Sequence, residues 1–132
     1  MSKTLKLVSP IDGSIYAERP VAGQAEVEQR LGLARGARRA WAAEPLDTRI
    51  EIVRAGIATL REMNDEIVPE IAWSMGRPIR YGGEIGGVEE RAYHMADIAG
   101  EALGPIVVED SDAFHRYVMR EAAGLVFVMA PW

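Results

Sequence analysis

Arg120-Glu121-Ala122-Ala123-Gly124-Leu125-Val126-Phe127-Val128-Met129-Ala130-Pro131-Trp132 is the stretch on which the fold turns. Residues 125–129 form an unbroken apolar run between Gly124 and Pro131. A strand built from it is oily on both faces, which suits an inner strand of a parallel sheet better than a half-wetted hairpin. A buried helix segment would also carry such a run, but five residues between glycine and proline are too few for one. Burying a Val, Leu, Phe or Met side chain is worth about 1.5–3 kcal/mol, so a bare run forgoes a substantial stabilisation. The expectation is an α/β chain that is the front end of something larger. It supplies helices to cover a sheet and one central strand, but not the sheet.

Upstream of that run, residues 106–109 and 114–120 flank the polar turn Asp110-Ser111-Asp112, the pattern of a β-hairpin. Gly104-Pro105 closes a helix expected over 84–103, with Ile85, Val88, Ala92, Met95, Ala99 and Leu103 inward. A third helix starts at Asn64-Asp65 and stops at Gly76, a left-handed glycine cap ahead of Pro78. Its Pro69 is tolerable within the first turn or so, where backbone N–H groups have no helical partner. A second helix buries Ile50, Val53, Ile57 and Leu60, with Asp47 as its expected N-cap. The first spans 24–43, striped by Val27, Leu31, Ala34 and Trp41, and Glu44-Pro45 ends it. Ahead of these four amphipathic helices, Ser9-Pro10-Ile11-Asp12-Gly13-Ser14 joins two short strands into an N-terminal hairpin.

Composition excludes several classes. Fifteen basic and twenty acidic side chains leave a net charge of −5, which argues against non-specific nucleic-acid binding and adhesion to anionic membranes. No apolar run is long enough to span a bilayer, and the N-terminus lacks a signal-peptide core. The sequence has no cysteine, hence no disulfide, thiolate ligand or thiol nucleophile. A cytoplasmic location is compatible with all of this.

The residues that could carry chemistry do not converge. The cluster Gly82-Gly83-Glu84-Ile85-Gly86-Gly87 lacks both a preceding strand and G-x-G-x-x-G spacing, so it is expected to permit close packing rather than cradle a phosphate. His94 and His115 lie on different elements with no H-x-x-x-H partner. Glu89, Glu90, Asp110 and Asp112 are expected on solvated faces, and Arg35, Arg38 and Arg39 at a wet helix end.

Three stretches, in chain order, resemble NAD(P)-dependent aldehyde dehydrogenases. Ser9-Pro10-Ile11-Asp12-Gly13 is similar to that family's opening N-P-x-T-G turn, and Met75-Gly76-Arg77-Pro78 to its T-G-K-P helix end. The segment from Arg120 through Gly124 to Pro131-Trp132 resembles R-x-P-x-G-V running into P-W-N. Ser9 replaces the usual Asn, Arg77 replaces Lys, and Ala123 stands where Pro is commoner.

The resemblance implies the N-terminal portion of the aldehyde dehydrogenase fold. Residues 1–103 would be the hairpin and helical part of the cofactor-binding domain, 104–120 an oligomerisation hairpin, and 121–132 the first strand of a Rossmann-like sheet. It implies a whole protein, a homo-oligomer, that oxidises a small-molecule aldehyde to an acid with NAD or NADP. In that family a Cys attacks the aldehyde, an Asn amide and a backbone N–H hold the oxyanion, and a Glu activates water. The Asn would directly follow Trp132, so the chain alone is expected to be inactive and to contain no catalytic or metal-binding residue. Met129, Ala130, Pro131 and Trp132 would rim the dinucleotide at a strand's carboxyl end, and Val88 and Arg91 would form one wall of the substrate channel. The rival expectation is a stand-alone, non-catalytic helical interaction module or truncated partner subunit. Which aldehyde is used, and whether NAD or NADP, is not written in these residues.

Overall fold

The computed structural model describes residues 3–130. Two strands, β1 (Thr4–Val8) and β2 (Ile15–Pro20), precede three long helices, α1 (Gln24–Ala43), α2 (Leu46–Glu62) and α3 (Asn64–Met75). A single 3-10 turn (Ile79–Tyr81) leads to α4 (Ile85–Asp97) and the short α5 (Ala99–Leu103). A second pair, β3 (Ile106–Asp110) and β4 (His115–Val118), comes last. Each strand pair is a separate two-stranded antiparallel sheet.

The first hairpin is closed by its own turn chemistry. The Ser9 N–H donates to the Ser14 carbonyl at 2.8 Å, and the Gly13 N–H to the Ser9 carbonyl at 2.9 Å. Ser9 Oγ accepts from the Ile11 amide at 3.3 Å, and Asp12 Oδ1 from the Ser14 amide at 2.9 Å. Such side-chain bonds to the backbone two residues on are what Ser and Asp contribute to turns. Gly13 takes φ +76°, a conformation open to glycine at no steric cost.

The helix boundaries follow proline and glycine. Glu44 leaves the helical region (φ −65°, ψ 136°) directly before Pro45, ending α1. The expected cap at Asp47 is not formed. Pro45 is the capping residue, its φ held at −53°, and Asp47 lies in the first turn, where its charge complements the helix dipole. Pro69 is the sixth residue of α3, past the first turn in which it was expected. The Asp65 carbonyl therefore has no proline N–H to accept, and since Asp65 is exposed, water can serve it. Gly76 caps α3 in the left-handed region (φ 75°, ψ 18°). The helix expected over 84–103 is two helices. Ile98 between them sits at φ −85°, ψ −5°, and Gly100 just beyond is a weak propagator of helix.

Packing joins two small groups of elements. Helices α2 and α4 run antiparallel: Arg61 near the end of α2 grips both Glu89 carboxylate oxygens at 2.8 and 3.0 Å. Two turns earlier, Arg54 reaches Asp97 at 2.5 Å near the end of α4. The first hairpin packs on α3, where Tyr16 and Trp73 stack with centroids 6.4 Å apart. A Cβ built on Gly76 would lie 3.1 Å from Pro10 Cγ, so the turn is seated on the helix cap. Among the described residues only Ser9, Ala72 and Ile85 are buried. The accessible surface of 11099 Å² is well beyond the about 6,900 Å² expected of a compact monomer of this length.

Residues 125–129 do not form the inner strand expected of them. Residues 121–130 contain no strand, and no backbone hydrogen bond from them is found among the described residues. Phe127, Val128 and Met129 are 83%, 79% and 80% exposed. The reason is topological: an inner strand is defined by neighbours on both sides, and both two-stranded sheets of this chain are hairpins paired within themselves.

Candidate functional site

Helix α4 presents the candidate substrate wall. Arg91 lines a groove of about 330 Å³ together with Gly87, Glu90 and His94. Val88, named beside it from the sequence, is exposed on the same helix and does not line that groove. The structure thus brings Arg91 together with two residues, Glu90 and His94, that sequence reasoning assigned to solvent or a local bond. Their i, i+3, i+4 spacing on one helix face was the available signal.

Of the candidate cofactor contacts, Met129 and Ala130 are exposed and free of regular structure. Pro131 and Trp132 lie outside the described residues. In the segment leading to them, Leu125, Val126 and Phe127 form one side of a cleft of about 400 Å³ whose other side includes Val27, Leu31 and Ala34 of α1. The apolar stripe of α1 and the apolar run therefore face each other without closing. Gly124 makes the bend into the run at φ +96°, with the Arg38 guanidinium 3.7 Å from where its Cβ would be. Neither Gly124's conformation nor its neighbour Arg38 was anticipated, because the contact joins residues 86 positions apart.

The glycine cluster is explained by packing at one position. A Cβ on Gly83 would sit 3.0 Å from Asn64 Oδ1 and 3.1 Å from Val68 Cγ2, so the loop entering α4 lies tight against the start of α3. Arg77 and Glu84 form an ion pair across the same loop. His115 Nδ1 is 2.9 Å from Asp110 Oδ1 on the outer hairpin, far in sequence from His94. Among the described residues no three His, Asp or Glu side chains are grouped to hold a metal ion. Asp12 has its carboxyl held below the ordinary range, first by the Ser14 backbone hydrogen bond and then by the Ser14 side chain. That perturbation belongs to the turn, not to a reacting centre.

The architecture is that of a known class. It superposes on a putative aldehyde dehydrogenase from Burkholderia cenocepacia with a TM-score of 0.76 and 22% identity, covering 89% of this chain and 24% of that one. A NAD-dependent benzaldehyde dehydrogenase from Corynebacterium glutamicum gives a TM-score of 0.72 at 24% identity, covering 83% and 23%. Those likenesses define the fold. The aldehyde dehydrogenase family model matches residues 1–132, and the chain belongs to that family. Among curated relatives, the peroxisomal aminoaldehyde dehydrogenase 2 of Malus domestica is 28% identical over 142 residues. That match takes in 100% of this chain and 28% of the apple protein, so the chain corresponds to an N-terminal segment of the family, about a quarter of a relative's length.

Proposed function

We propose that this chain is the leading part of the cofactor-binding domain of an aldehyde dehydrogenase that oxidises an aldehyde to a carboxylic acid with NAD or NADP as hydride acceptor. The observation that carries the reading is the family match across residues 1–132. The NAD dependence of the Corynebacterium neighbour supports the choice of acceptor. In this reading residues 1–103 are the hairpin and helical part of the domain, 104–120 the arm through which subunits associate, and 121–132 the entry to its sheet. Every residue of β3 and β4 except Glu109 is exposed, which suits an arm that meets another subunit.

Residues 129–132 would meet the dinucleotide through main-chain atoms. What supports that role is that Met129 and Ala130 carry no hydrogen-bonding or charged side chain, and that among the described residues no backbone partner is found for them. The bound dinucleotide would supply the hydride acceptor; these residues would position it. Arg91, with Val88 beside it, would bound the substrate channel from α4. No helix among the described residues is long and apolar enough to cross a membrane, and a cytoplasmic setting is part of the same proposal.

The covalent step of the family needs a thiol, and this sequence has none. Residues 1–132 alone are therefore expected to reduce neither NAD nor NADP with any aldehyde, followed as absorbance of the reduced nicotinamide. Aldehyde-dependent reduction by the isolated segment would overturn the assignment of roles. The coding sequence beyond Trp132 tests the family reading directly: Asn next, with Cys well downstream, supports the dehydrogenase. An immediate stop codon would favour a non-catalytic interaction module, a reading to which the open apolar cleft between α1 and residues 125–127 lends support.

A further inference from the structure

The tip of the first hairpin holds the only Asp–Gly peptide in the sequence, Asp12-Gly13. Asp–Gly is the pair most open to intramolecular rearrangement, since glycine has no side chain to shield its amide. The glycine nitrogen attacks the aspartyl Cγ; the N–Cγ bond forms, the Cγ–OH bond breaks, and the amide proton and hydroxyl leave as water. Water then reopens the succinimide ring at either carbonyl. Opening at the Cα carbonyl passes the main chain through Cβ and Cγ, giving an isoaspartyl linkage with no net change in atoms or oxidation state.

In the folded hairpin both reacting groups are engaged elsewhere. The Gly13 N–H donates to the Ser9 carbonyl at 2.9 Å, and Asp12 Oδ1 accepts from the Ser14 amide at 2.9 Å. We propose that Asp12 is the isoaspartate-forming site of this chain, and that the turn's hydrogen bonds keep it closed for as long as the hairpin is folded. The Ser14 hydrogen bonds also hold the Asp12 carboxyl below its ordinary range, favouring the carboxylate, which lacks the hydroxyl leaving group. The consequence is structural. Isomerisation inserts a backbone carbon into the turn that seats Pro10 against Gly76, a close seat where a Cβ on Gly76 would lie 3.1 Å from Pro10 Cγ. A lesion formed while the hairpin is open would thus shift Pro10 and weaken the docking of the hairpin on α3.

The test ages the native protein and the same protein unfolded in urea side by side at neutral pH. Isoaspartate is measured by peptide mapping and by enzymatic methylation of isoaspartyl carboxyls. The unfolded sample should acquire label in the peptide containing Asp12, and the native sample should do so at least about tenfold more slowly, because two hydrogen bonds must first be broken. Equal rates would overturn the proposal, and so would label arising chiefly at Asp110-Ser111 in the unfolded chain. A D12N variant separates geometry from ionisation, since its amide releases ammonia without needing a protonated carboxyl. Slow ammonia release in the folded variant supports the hydrogen-bond guard; release as fast as in urea would refute it.

Discussion

The turn at residues 9–14 and the run at 125–129 carry two of the sequence's clearest signals, yet only one has become structure. In the turn, Ser9, Asp12 and Gly13 find every partner within five residues, and the result is a hydrogen-bonded tip with Ser9 only 1% exposed. The run has the stronger hydrophobic drive and remains 46–83% exposed from Leu125 to Phe127 and beyond. Local polar chemistry is satisfied by whatever part of the chain holds it. A doubly apolar segment states only a demand, and the supply must come from elsewhere.

A matched pair of substitutions puts this contrast to its hardest test. Gly76 and Gly124 both have positive φ, +75° and +96°, so alanine at either incurs a left-handed penalty of about 1–2 kcal/mol. At Gly76 the new Cβ would also meet Pro10 Cγ at 3.1 Å, whereas at Gly124 its nearest neighbour is the movable Arg38 head at 3.7 Å. Gly76→Ala should therefore cost about 3 kcal/mol of unfolding free energy in a denaturant titration, with overpacking added to backbone strain. Gly124→Ala should cost less than about 1 kcal/mol, since an unpaired segment can rearrange to shed the strain. Equal losses would mean that residues 121–130 are as firmly built as the hairpin, and the contrast would break.

Most of the helical layout was legible because it rests on short-range rules. Glu44 before Pro45, glycine at the αL cap of α3, and the Asp-Gly reversal all act through residues in view of one another. What escaped has non-local causes. The division at Ile98, the tight seat of Gly83 on α3, and the Arg38–Gly124 contact depend on segments that meet only after folding. The site was less legible: Arg91 was named through the family resemblance, and its groove partners Glu90 and His94, though spaced to share a helix face with it, carry no chemistry that sets them apart from solvated neighbours. At residues 125–129 the sequence specified an environment, and the environment is not formed by the described residues.

A smaller effect sharpens the same point from the other region. Phe127 faces the α1 cleft but is 83% exposed, so Phe127→Asp removes little packing. Its unfolding free energy should stay within about 0.5 kcal/mol of the parent. Self-association should fall, because an exposed run of apolar residues with unpaired backbone is a template for intermolecular pairing. Sedimentation over a concentration series would show it. A large drop in midpoint would instead mean that the cleft is closed in solution and the run already part of a core.

The smallest effect concerns the turn's charge. Asp12 has a folded-state pKa below the unfolded value, so its contribution is fully present above the unfolded pKa, about 4, and is lost as pH falls through the folded one. Asp12→Ser keeps a short oxygen acceptor for the Ser14 amide but does not titrate. The parent's stability advantage over this variant should therefore be constant near neutrality and shrink on acidification below about pH 4. Denaturant titrations of both proteins along a pH series would measure it. An advantage that grows on acidification would mean that the protonated carboxyl is the better turn-former, and that the Ser14 amide does not select the carboxylate. Because the group is solvent-exposed the change will be slight, and its sign is the informative quantity: it reports whether the turn is stabilised by charge as well as by shape.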